Sequence, residues 1–280
     1  MTEGTGVRLQ SAPPRIDCMS VVEPPQSGRR RATRQQTTER PRRRGPSVIG
    51  VVGELLITAG VLVFLFLGWQ LWLNDIVVGD QQRTEAIQLG QSWDPAGTSV
   101  RVPDAQVDYG EPFVAAAPKA VTKFAVMYVP RFDDDARIIA EGTNTVPVLN
   151  SIGVGHYSDS QMPGQVGNFA VAAHRTTHGA PFNKIATLRV GDRIYIQTQD
   201  GYYTYVFRNL EYVRPTGVGV KDPVPQMSGI TATDRIMTMT SCNPKLSAAE
   251  RIVAYRVFES WQPLSAGPPA QIADVVAKGA

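Results

Sequence analysis

His174, Cys242 and Arg251 are the residues of this sequence whose types and placing suit chemistry. Each stands at the edge of a short apolar run: His174 ends AVAAH, Cys242 ends IMTMTSC, and Arg251 opens RIVAYRVF. Active sites commonly form from side chains at strand ends and on loops held by a rigid scaffold. The runs that end at Cys242 and begin at Arg251 are separated by an eight-residue connection. They are expected to pair as neighbouring strands and bring both side chains to one rim. A thiolate that attacks a carbonyl, an imidazole that moves the proton and a guanidinium that holds the oxyanion would make a nucleophilic catalyst. The bland reading stays open, because a lone cysteine is as readily a small core residue and a strand-end histidine or arginine as readily solvated. Papain-like enzymes place cysteine before histidine, whereas here His174 precedes Cys242 by 68 residues. The caspase signature, G-x-S-x-G and H-E-x-x-H are all absent.

The elements that must position these residues lie in the second half of the chain. Short runs rich in Val, Ile, Thr, Tyr or Phe occur at 123–129, 136–140, 168–174, 193–199, 202–213, 234–241 and 250–260, bounded by Gly, Pro, Asp or Asn. Asp200-Gly201 between two of them is a hairpin signal. So many strands in so short a stretch predict a mainly β domain, a closed barrel or sandwich, over residues 123–262. A short helix is expected at Pro181 to Leu188, opened by its proline. Residues 74–93 can carry a helix onward, residues 74–122 as a whole read as a stalk and proline-rich linker, and residues 263–280 read as a flexible tail with one weak helical stretch.

The first half is organised by charge and hydropathy. The chain has 280 residues, long enough for one core plus appendages, and a net charge of +3. Residues 1–47 hold ten arginines and four acids, with few large apolar side chains, and are read as a disordered basic tail. The rest holds 18 basic and 21 acidic residues, which argues against a nucleic-acid-binding body. Val48 to Leu73 is almost continuously apolar and its last 19 residues carry no charge. At ~1.5 Å per residue such a helix crosses the ~30 Å hydrocarbon core. A signal peptide would have a shorter apolar region and a small-x-small cleavage site, but Trp69, Trp72 and Asn74 follow here. Residues 48–73 are therefore expected to be a transmembrane helix. The preceding arginines put the N-terminus in the cytoplasm and the body outside, as a single-pass protein of the cell membrane. Cys18 and Cys242 then lie on opposite sides and cannot pair, which leaves Cys242 a lone exported thiol, either buried and inert or kept for its chemistry.

The segments GHYSDSQMPGQVGNFAVAAHRTTHGAPFNKIATLRVGDRIYIQT (155–198) and MTMTSCNPKLSAAERIVAYRVF (237–258) carry a resemblance. With H-R-T, T-x-T-x-C-x-P and a downstream arginine, the stretch from about 123 to 260 resembles the sortase family, most of all the class E sortases of Gram-positive actinobacteria. That resemblance implies an eight-stranded β-barrel and a cysteine transpeptidase. Such an enzyme cleaves a Leu-Ala-x-Thr-Gly or Leu-Pro-x-Thr-Gly sorting signal of a secreted protein between Thr and Gly, then joins the Thr to a peptidoglycan amine. It implies Cys242 as nucleophile, His174 as general acid/base and Arg251 as the residue that binds substrate and stabilises the oxyanion. Thr240 fits the motif as a substrate contact, and Tyr157 matches a tyrosine associated with the alanine preference of class E. His156 and His178 read as loop histidines.

Ala172-Ala173-His174 stands where many relatives have Ala-Gly-His, which adds a methyl beside the histidine. Asp94-Pro95 is similar to the lid of pilus-building sortases, but Ala96 replaces its aromatic residue, so a pilin-polymerising sortase is the weaker alternative. The Asp133 to Asp135 run is better read as a solvated turn than a calcium site. Two cysteines and three histidines give no reason to expect a metal or other cofactor. The rival from another class is an anchored barrel that binds or assembles without catalysis.

Overall fold

The computed structural model describes residues 47–69, 73–94, 107–133 and 135–277. Eight strands close into one barrel: β1 Lys123–Val129, β2 Asp135–Glu141, β3 Val154–His156, β4 Gly167–Ala173, β5 Arg193–Gln197, β6 Gly201–Val213, β7 Arg235–Asn243 and β8 Glu250–Pro263. Their order around the barrel is β1-β2-β3-β4-β7-β8-β6-β5, and β1 pairs with β5 to close it. The β2–β3 and β4–β7 ladders are parallel and the rest antiparallel. The expected hairpin at Asp200-Gly201 joins β5 to β6.

Side chains alternate between the two faces of a strand, and burial sorts them here. The inward set includes Met127, Ile139, Phe169, Val171, Ile194, Ile196, Tyr205, Phe207, Met237, Met239, Ile252 and Ala254. In place of the expected helix at 181–188 the chain makes turns and a 3-10 segment at Ile185–Thr187. Phe182, Ile185 and Leu188 all enter the barrel core. Their spacing of three matches the three residues per turn of a 3-10 coil better than an α-helix.

A second apolar layer lies outside the barrel. Helix α1, Val48–Gly68, is 21 residues long, apolar enough to cross a membrane, and exposes its large side chains throughout. Helix α2, Asn74–Trp93, is part of the globular body rather than a free stalk. Ala86 and Ile87 of α2 pack with Val126 and Tyr128 of β1 and Ala136, Ile138 and Ala140 of β2. Gly90 permits the approach: a Cβ there would sit 2.5 Å from Gln197 Oε1 and 2.7 Å from the Tyr128 hydroxyl. Those two groups are bonded to each other, and Gln197 Nε2 donates to the Gly90 carbonyl.

The expectation of a loose tail fails for residues 264–277. A 3-10 turn and helix α3, Ala273–Ala277, return the chain to α2, burying Ile272 and Val275 in the same outer layer. Gln91 Nε2 donates to the Val276 carbonyl at 2.8 Å. Apolar residues among prolines and glycines looked too sparse to fold, but they complete a surface that α2 leaves open. The linker expectation fails in part for the same reason. Tyr203 Oη donates to the Phe113 carbonyl and Trp261 Nε1 to the Gly110 carbonyl, tying residues 107–122 to the barrel. Pro95, Ala96, Trp72 and the basic tail lie outside the described residues.

One inward residue is out of character. Arg256 is fully buried, opposite Met237 on β7 and Phe207 on β6. Nη1 donates to the Ala254 carbonyl, but Nε and Nη2 have no partner among the described residues, and burial pushes the guanidinium down to about 9. A buried cation without a counter-charge is destabilising, and replacing such groups by apolar ones of similar volume often gains ~1–4 kcal/mol. Arg256→Met is expected to raise the melting temperature by several degrees in a thermal unfolding scan. An unchanged or lower value would show that the guanidinium is better accommodated than its bonding suggests.

Candidate active site

The site is set by strand register. Cys242 on β7 lies directly opposite Arg251 on β8. Across the other edge of β7, the parallel ladder with β4 runs to Ala172 opposite Thr240, and Ser241 Oγ donates to the Ala173 carbonyl at 2.8 Å. One step further in that register His174 follows β4 just as Cys242 follows Ser241. Met237 and Met239 face the core, so Thr238, Thr240 and Cys242 share the outer face of β7. The expected pairing of the Cys242 and Arg251 strands is present, and the ladders place His174 at the same end of β4, β7 and β8.

The histidine is held on two sides. Asn150 closes the π-helical turn Thr145–Asn150, and its Oδ1 accepts from His174 Nε2 at 2.8 Å. That bond leaves Nδ1 as the ring's acceptor. The His178 ring stacks on the ring of His174, with centroids 4.9 Å apart and planes 28° apart. Burial holds the His174 imidazole below the ordinary histidine range, the charge of His178 adds to this, and Asp75 on α2 opposes it. His174 therefore rests neutral at pH 7, able to take a proton and pass it on.

The cysteine is half-buried and free. Its backbone is fixed by Arg175, which stands out in the sequence only as part of H-R-T. Arg175 is buried, and its Nη1 donates to the Cys242 carbonyl at 3.2 Å and to Asn243 Oδ1 at 3.1 Å. Arg175 Nε donates to the Asn183 carbonyl, and Asn183 Nδ2 returns a bond to the Arg175 carbonyl. The residue after the candidate base thus holds the candidate nucleophile. Arg251 Nη1 donates to the Ala248 and Glu250 carbonyls, each at 3.0 Å, so its side chain rests along the β7–β8 connection beside Cys242.

Thr240 and Tyr157 lie next to Cys242 on the outer face of β7. Tyr157 Oη donates to Thr240 Oγ1 at 3.0 Å, and Thr240 Oγ1 in turn donates to the Val171 carbonyl at 3.3 Å. The two residues named as substrate contacts therefore touch each other. The β6–β7 connection runs close by. Asn168 Nδ2 donates to the Val220 and Asp222 carbonyls while Asn168 Oδ1 accepts from Thr238, which pins the connection across β4 and β7. Lys221 then lies 5.6 Å from the centre of the Tyr157 ring and pairs with Asp159.

Of the other residues that the sequence singles out, His156 is fully buried, bonded to Glu141 Oε2 at 2.7 Å and to Gln161 and Ser160, and belongs to the interior rather than a loop. Asp133 pairs with Lys184 and Asp135 with Arg137, so a lysine or arginine answers each of these acids. Asp134 lies outside the described residues, and among those described no cluster of three or more acidic, histidine or cysteine side chains could hold a metal.

Comparison with known proteins gives matches over the same region. Residues 127–257 match the family model described as Sortase domain. The chain is 34% identical over 238 residues to Sortase SrtE1 of Streptomyces coelicolor, covering 82% of this chain and 63% of that protein, so it spans under two thirds of that relative's length. It is 30% identical to Sortase SrtE2 of the same organism, covering 77% of this chain and 84% of that protein. Among solved structures, sortase E1 from Streptomyces coelicolor with a tripeptide in the active site superposes with a TM-score of 0.52 at 36% identity, covering 56% of this chain and 99% of that one.

Asn150 and Arg175 give the sharpest tests of this geometry. Asn150→Ala frees the His174 ring and is expected to lower kcat about tenfold with KM little changed. Arg175→Ala removes a buried cation's bonds to the Cys242 turn and should cost ~2–4 kcal/mol of stability, read as a lower denaturant midpoint, as well as turnover. Arg175→Ala with wild-type stability and rate would contradict the assignment.

Proposed function

The chain belongs to the sortase family, and from that premise we propose that it is a membrane-anchored cysteine transpeptidase of the class E type. Its substrates are secreted proteins with a C-terminal Leu-Ala-x-Thr-Gly or Leu-Pro-x-Thr-Gly signal, and its acceptor is an amine of the peptidoglycan precursor. The observation that carries this reading is the register of Cys242 opposite Arg251, with His174 continuing the strand on the other side of β7.

In the first step the Cys242 sulfur attacks the threonine carbonyl of the Thr-Gly bond. Negative charge collects on the carbonyl oxygen, and Arg251 swings from its resting carbonyls to receive it with one donor while another holds the substrate backbone. The tetrahedral species collapses as His174, carrying the thiol's proton, gives it to the departing glycine amine. A thioester to Cys242 remains. In the second step an acceptor amine attacks that thioester, His174 takes its proton, and the new amide leaves as the thiol is restored. Tyr157 and Thr240 are substrate contacts beside Cys242, where their mutual bond sets the room available to the residue that is Ala or Pro in the signal.

Helix α1 supplies the anchor. The arginines before it keep the N-terminus cytoplasmic and the barrel outside, where secreted chains and wall precursors meet. Protease added to wall-stripped cells should therefore degrade the barrel and spare the first 47 residues, and a protected barrel would reverse the topology.

The reading is tested by incubating the full chain in detergent with both peptides and an amine, with products read by mass. Cleavage between Thr and Gly and transfer to the amine are expected, with the alanine peptide preferred. Cys242→Ala should abolish both at an unchanged melting temperature. Arg251→Lys should lose ~10²–10³ in kcat, because an ammonium keeps the charge but cannot place two donors. A loss under about fivefold for lysine would mark Arg251 as a surface ion with the small energetic weight usual for such groups.

A further inference from the structure

The steps above leave one group beside the site unused. His178 lies with its ring against His174, centroids 4.9 Å apart. Its backbone is left-handed, with φ at +55°, a conformation uncommon outside glycine that histidine takes more readily than most residues. Its Nδ1 is buried without a hydrogen-bond partner among the described residues, so no bond of that atom holds the ring in place.

Helix α2 packs against the residue that follows His178. Gly179, at φ +79°, lies so close to α2 that a Cβ would come within 3.0 Å of the Gly79 Cα and 2.6 Å of Gln82 Oε1. A Cβ on Gly79 would in turn meet the Gly179 carbonyl at 3.3 Å. The Gly179 N–H points to Asp75 Oδ1 at 3.4 Å. Gln82, the third contact, is fixed by Arg137 Nη1 at 2.8 Å. Contact therefore runs unbroken from α2 through Gly179 to His178 and from His178 to His174.

We infer that His178 is a positioning residue for His174, a plate held by α2 that keeps the His174 ring turned toward the Cys242 rim. The inference rests on His174 being the acid/base of the proposed reaction. Asn150 holds one edge of the ring through Nε2, and a single hydrogen bond leaves the ring free to swing about it. The stacked face removes that freedom. A second histidine in this place also discourages a second positive charge, which keeps His174 neutral between proton transfers. Asp75 of α2 acts the other way, and on the β4–β7 side Arg175, the next residue in the chain, bonds the Cys242 carbonyl. The helix that follows the membrane segment is thus part of the support of the active site.

The test uses the full chain in detergent with His178→Ala, His178→Phe, Gly79→Leu and the double variant of His178→Ala with Gly79→Leu. Two quantities are read: kcat and KM for peptide cleavage, and the titration of the His174 imidazole by NMR. His178→Ala should lower kcat about tenfold or more with KM little changed. His178→Phe keeps a ring on the stack and should recover most of the rate, while His174 titrates at higher pH because the neighbouring charge is gone. Gly79→Leu pushes α2 off the loop and should give a loss like that of His178→Ala. The double variant should be no slower than the worse single one, because both act through one contact chain. Fully additive losses, or an unchanged kcat in His178→Ala, would overturn the inference. The NMR titration needs no turnover, so it decides the matter even if the peptides prove not to be substrates: His174 signals indifferent to His178→Ala and to Gly79→Leu refute the positioning role.

Discussion

The site depends on the register of three neighbouring strands, β4, β7 and β8. Side chains on a strand alternate between faces, so a slip of one residue would carry Cys242 into the barrel and Met239 or Met237 out of it. Packing of Met237, Met239, Phe169, Val171, Ile252 and Ala254 in the interior therefore fixes which residues look outward. The apolar core thus aligns His174, Thr240, Cys242 and Arg251, although none of these belongs to it. Ser241 and Arg175 refine the alignment, the first by bonding β7 to the end of β4 and the second by holding the turn after the cysteine.

Much of this was legible in the sequence because the strands are marked by β-branched and aromatic residues between turn formers. Seven runs stood out, and the pairing of Cys242 with Arg251 followed from the short connection between theirs. The strand that escaped notice was β3, because Val154, Gly155 and His156 are too few to show alternation. Its side chains are all buried, and His156 is satisfied by Glu141 from β2. A histidine inside a barrel reads like a loop histidine when the acid that answers it lies on another strand.

The outer layer was less legible for a related reason. Helix α2 has few apolar residues, and half of those in residues 264–277 are alanines, so neither signals a buried face alone. Each becomes buried only against the other and against the outward residues of β1, β2, β5 and β6. Asn150 and Arg175 were missed as parts of the site because their value lies in a carbonyl or ring that the fold brings to them. The residue types carrying covalent chemistry are few and conspicuous, whereas those that orient them are common polar residues whose roles arise only in three dimensions.

The central claim is that this register makes Cys242 an acyl acceptor. Its most direct test is intact-protein mass measured within the first turnover after mixing the full chain with a Leu-Ala-x-Thr-Gly peptide in the absence of an amine. The account predicts a mass gain equal to the peptide fragment ending in threonine, localised to Cys242 by digestion and discharged on addition of an amine. Release of cleaved peptide with no adduct on Cys242, or an adduct on any other residue, would contradict it.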